Sequence, residues 1–152
     1  MRTLGVLALL GALLLAGCGD EKPGDEADDE PRGQIDFTLV EVVSESAVGG
    51  MVSPGGVALT DMAAVQQFTG QFEDDRMQVR LANEFDDLDV PDDQAAYAAV
   101  VDIGCTPPSD VTVTSTDSGI LIEPVKPTKK PVECFAPVTS VAIVLVDESV
   151  VG

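Results

Sequence analysis

Thr139-Ser140-Val141-Ala142-Ile143-Val144-Leu145-Val146 is the stretch that decides the architecture. Successive side chains of a strand point to opposite faces, so an unbroken apolar run is the signature of a strand buried on both sides. With Val138 it predicts a central strand over 138–146. Working back from it, Ala95 to Ile103 (AAYAAVVDI) is apolar enough for a buried strand or a helix. The neighbouring β-branched run and the stop at Gly104-Cys105 favour a strand. Between these two runs, Asp110 to Ser115 and Ile120 to Glu123 flank Thr116-Asp117-Ser118-Gly119, which predicts a hairpin with a glycine-containing turn.

The first half of the chain is less regular. Ile35, Phe37 and Leu39 alternate with Asp36 and Thr38, a half-buried strand continuing towards Val43. Pro54-Gly55 suits the centre of a type II turn, because proline presets φ and glycine accepts a positive one, so the two Gly-Gly pairs read as a hairpin or surface loop. Thr60 is placed to cap a helix with Asp61 in its first turn, carrying Met62, Val65, Phe68 and Phe72 at helical spacing and ending near Gly70. Met77, Val79 and Leu81 alternate with Gln78, Arg80 and Ala82, which reads as a further strand. The expected fold is therefore mainly β, or α+β: one small β-sandwich-like domain over residues 34–152, with one short helix.

Three cysteines are present. Cys105 and Cys134 both flank expected strands, and their pairing would staple the proline-rich excursion between them onto the sheet. A reactive thiol is disfavoured, since no CxxC spacing, histidine or positive neighbour lowers a thiol pKa.

The chain has 152 residues, 27 acidic and 8 basic, for a formal net charge of −19, and no histidine. Such an excess of negative charge excludes nucleic acid as a partner, where affinity comes from lysine and arginine on phosphates. The missing histidine removes Ser-His-Asp and Cys-His catalysis and imidazole-ligated metals. From Gln34 onward there are twenty acidic and five basic residues, so the domain alone carries −15.

Residues 1–17 carry Arg2 and then an uncharged apolar run, the layout of a signal peptide too short to cross a bilayer comfortably. Leu15-Ala16-Gly17-Cys18 resembles the lipobox of bacterial lipoproteins, in which the cysteine is diacylated and the peptide is cut before it. The resemblance implies lipidation at Cys18, a membrane partner held through N-terminal acyl chains, and a place on the extracytoplasmic side of a bacterial cell envelope. Residues 18–33 would be the lipidated cysteine and an acidic, proline-containing spacer without a core of its own. Further on, Val57-Ala58-Leu59-Thr60, Gly104-Cys105-Thr106-Pro107-Pro108 and Ala136-Pro137-Val138-Thr139 resemble uncharacterised envelope lipoproteins of GC-rich bacteria. Their layout is also similar to the PrcB-like domain of bacterial protease-complex lipoproteins, although Cys105 to Asp110 replaces a Gly-Gly-Tyr stretch of that domain. The resemblance carries over no functional residue.

Two further clusters bear on function. Asp86, Asp87, Asp89, Asp92 and Asp93 are oxygen donors of the kind calcium takes, but Pro91 occupies the next ligand position of the loop begun at Asp87. Lys126, Lys129 and Lys130 form the only basic concentration, a candidate contact for a partner or a local charge balance. No catalytic constellation is visible and no cofactor is implied, with calcium the one alternative. The expected function is a non-catalytic binding or accessory lipoprotein of the envelope, serving another envelope protein. The alternatives are a calcium-stabilised module and, more remotely, a hydrolase.

Overall fold

The computed structural model describes residues 33–125 and 133–151. Residues 1–17, read above as a signal peptide, Cys18, nearly all of the stretch read as a spacer, and Lys126, Lys129 and Lys130 lie outside the described residues. In chain order the elements are β1 (Gly33–Gln34), β2 (Phe37–Ser46), β3 (Ser53–Ala58), α1 (Met62–Thr69), α2 (Asp75–Asp86), β4 (Gln94–Gly104), β5 (Val111–Thr116), β6 (Gly119–Pro124) and β7 (Val138–Asp147). A 3₁₀ turn at Glu148–Val150 follows. The strands form one curled antiparallel sheet in the order β1-β5-β6-β3-β4-β7-β2.

β7 lies between two cores, as its unbroken apolar run requires. Val141, Ile143 and Leu145 join Met77, Leu81, Val65 and Phe68 beneath the helices. Ala142, Val144 and Val146 point the other way, into a core shared with Val111, Val113, Ile120 and Ile122 of the β5–β6 leaf. β4 pairs along its length with β7 and divides its side chains in the same manner, Ala96, Ala98 and Val100 to one core and Ala99 and Val101 to the other. The protein is thus three layers deep: helices, the β4-β7-β2 leaf, and the β6-β5-β1 leaf. A bulge between Leu39 and Glu41 lets β2 turn Val40 towards the helices while Leu39 and Val42 face the second core.

The expected hairpin is present, with Thr116 opposite Gly119 across a two-residue turn and Gly119 at φ 133°. So is the disulfide between Cys105 and Cys134, whose Cα atoms are 5.4 Å apart. α1 ends at Gly70 as expected, but Asp61 caps it in place of Thr60, its Oδ1 accepting the Ala64 N–H at 2.8 Å.

Two segments differ from the sequence reading. Residues 75–86 are a second helix and not a strand. Met77 and Leu81 are two places apart on a strand ladder but also one turn apart on a helix, and the tertiary core selects the helix: both are buried while Val79 between them is 54% exposed. Asp74 supplies the cap, accepting the Arg76 N–H at 2.9 Å. Nor is Pro54-Gly55 a turn. Ser53–Ala58 is the strand that joins the two leaves, pairing Ser53, Val57 and Ala58 with β4 and Gly55 with Leu121 of β6. A Cβ on Gly56 would stand 2.5 Å from Ile120 Cγ1, so the missing side chain is what permits this corner.

Candidate functional site

Strand register places the two ends of the sheet far apart. Phe37 is opposite Val146 and Gln94 opposite Asp147, while Gly33 is opposite Ser115 beside the hairpin turn. The described chain enters the fold at that end, at Gly33. Ser46 and Gly104 both pair with Val138 at the other end, where the disulfide, the β5 start and the β6 finish also lie. The ten residues of β2 between them span about 30 Å at 3.3 Å per residue.

The acidic residues singled out above belong to the first end. Asp86 closes α2, Asp87 caps it, Asp89 sits between the inward-turned Leu88 and Val90, and Asp92 and Asp93 precede β4. They do not converge. Among the described residues no group of three or more Asp, Glu, Cys or His side chains is placed to hold a metal ion.

At the disulfide end the described surface is apolar in two places. Phe135, next to Cys134, is fully exposed, and Val125 on the other side of the lysine segment is 44% exposed. Val125 N–H donates to Asp110 O at 2.9 Å, which ties Val125 to the start of β5.

A second surface comes from residues 47–72. These 26 residues contain one charge, Asp61, in a domain where acids are otherwise dense. Folded, they place β3 against α1 and leave a groove of about 410 Å³ lined by Val57, Ala58, Ala64, Gln67, Phe68 and Gln71. Met51, Val52 and Val57 protrude from the same segment, at 75%, 48% and 44% exposure. Gly49 and Gly50, at φ 72° and 94°, bring this loop against the end of α1: a Cβ on Gly50 would lie 2.9 Å from the Phe72 ring. The sequence reading missed this face. The gap in the charge pattern was the signal, and it gains meaning only once β3 and α1 are known to lie side by side.

The long outer strand β2 is guarded. Arg76 Nη2 donates to Ser46 O at 3.0 Å and Arg80 Nη1 to Ser44 O at 3.1 Å, so two carbonyls of an unpaired edge are taken by side chains from α2. Both guanidinium groups also meet carboxylates, Arg76 with Asp74 at 3.0 Å and Arg80 with Glu45 at 3.2 Å. Arg76 holds the Asp74 carboxyl below its usual range by hydrogen bonding. Glu84 behaves oppositely. A hydrogen bond to the Glu41 carboxyl raises its pKa, desolvation and the Glu41 charge add to the rise, and Arg80 opposes it. A raised pKa in the folded state is a contribution present at acid pH and lost as the pH climbs through the raised value. Glu84→Gln is therefore expected to raise the urea midpoint at pH 7, with the difference from wild type closing below the usual glutamate range. Equal midpoints at pH 7 would remove the pair from the pH dependence of stability.

Comparison with protein-family models, with curated proteins and with solved structures returns no match to this chain.

Proposed function

We propose that the protein is a lipid-anchored lipoprotein of the bacterial cell envelope, held through acyl chains on Cys18, whose domain binds or assists another envelope protein without catalysis. One observation carries the binding role: the exposed Phe135 ring stands at the end of the sheet opposite the residue where the spacer joins, about 30 Å along β2. A spacer attached at Gly33 turns the acidic end towards the lipid and presents Phe135 away from it.

A photo-crosslinking residue placed at Phe135 of the full chain, in cells, is expected to give a reproducible adduct, while the same residue at exposed Asp92 gives none. No adduct at Phe135 under several growth conditions, or equal adducts at both sites, overturns the binding role. In parallel, Cys18→Ser is expected to abolish fatty-acid labelling and release the protein from the membrane fraction. Continued labelling would refute the anchor.

A further inference from the structure

We infer that the groove face formed by β3 and α1 is an interface between two copies of this chain, related by a two-fold axis. The inference is independent of the role given to Phe135. A domain carrying −15 repels a second copy on most approaches, and at physiological ionic strength screening acts over about 8 Å, so the repulsion that matters comes from groups beside the contact. On this face the six residues lining the groove carry no charge. Carboxylates flank it in sequence, Asp61 before the helix, where its Oδ1 accepts the Ala64 N–H, and Glu73 after it, and Glu123 lies on β6, two residues beyond the partner of Gly55. A basic partner would be drawn to the acidic surfaces instead. An uncharged face suits a partner as acidic as the protein itself.

Shape supports the same occupant. A two-fold contact uses one patch twice, so the patch must carry both a projection and a recess. Here the exposed Met51, Val52 and Val57 and the groove along Ala64, Gln67, Phe68 and Gln71 lie on one charge-poor segment. The Phe72 ring, packed under Gly50 and edge-on to Phe68 at 6.1 Å, ties the projecting loop to the groove. Gln67 and Gln71 offer amides at its rim. The Gln71 Nε2 is already committed to Phe68 O at 2.9 Å, which leaves its carbonyl oxygen as the acceptor it can offer.

The test is sedimentation equilibrium of the full-length protein in density-matched detergent. The expected mass is twice that of the monomer, with association strengthening as salt rises from about 0.05 M to about 0.5 M because screening relieves the residual repulsion. Met51→Glu and Gln67→Glu, both at exposed positions, each place two like charges across the axis and are expected to weaken association at least about tenfold. Val79→Glu, exposed on α2 and outside this face, is expected to leave it unchanged. A monomer at every concentration and salt overturns the inference. So does a dimer that Met51→Glu and Gln67→Glu leave intact, which would place association in the lipid anchors or elsewhere. A crosslinker at Met51 that captures a different protein and never a second copy also overturns it.

Discussion

Leu81→Ala is expected to destabilise the domain by about 3 kcal/mol, and Val79→Ala, two residues earlier, to change stability by no more than about 0.5 kcal/mol, with the sign favouring alanine. Leu81 is 1% exposed beneath the sheet, in the core that holds Met77 and Ile143, so truncation removes transfer energy and leaves a cavity. Val79 is 54% exposed on the outer side of α2, where a β-branched residue is a poorer helix former than alanine. The two substitutions distinguish the conformations directly. On a strand, Met77, Val79 and Leu81 would share one face and the two costs would be alike. Urea denaturation of both variants reads the difference, and equal losses would contradict the helix.

Removing the disulfide, by Cys105→Ser with Cys134→Ser, is expected to cost about 3.5 kcal/mol. The bridge joins residues 29 apart, and chain-entropy reasoning assigns that value to a closed loop of this length. Its position raises the local consequence. Cys105 directly follows β4 and Cys134 stands four positions before Val138, the start of β7, so the bond holds together the approach to the two most extensively paired strands, at the end that exposes Phe135. Thermal and urea unfolding of the double variant against oxidised wild type give the magnitude. A loss below about 1 kcal/mol would show that the β4–β7 pairing alone orders this loop. Reducing agent acting on wild type should reproduce the variant. A larger effect of the substitutions would assign the excess to packing around the half-buried Cys105.

The pattern of success and failure along the chain has one physical origin. β7, β4 and the β5–β6 hairpin were legible because each is decided by its own residues: unbroken apolar runs bounded by stops, or alternation around a glycine turn. Residues 75–86 were ambiguous because i, i+2 and i+4 apolar positions satisfy a strand, and i and i+4 equally satisfy a helix. The Asp74 cap and the run of good helix formers to Asn83 were local arguments for the helix, and the core beneath the β4-β7-β2 leaf made it decisive. Ser53–Ala58 misled more completely. Pro54-Gly55-Gly56 has every mark of a turn, yet Gly56 serves the close approach of Ile120 from a strand more than sixty residues away. The acidic residues from Asp86 to Asp93 also read as a cluster in one dimension, and they separate because helix end, connection and strand start project them differently.

By itself, then, the sequence determined the central strands, the hairpin, the Cys105–Cys134 pair and the acidity of the body, all of which follow from side-chain chemistry acting within a few residues or from composition. Tertiary structure alone decided that α2 is a helix, that β3 is a corner between two leaves, that Phe135 stands at the end of the sheet opposite Gly33, and that six uncharged residues of 57–71 line one groove. Each of these depends on which distant segment arrives alongside, and that is set by burying two cores against one sheet, a condition on the whole chain that no local pattern contains.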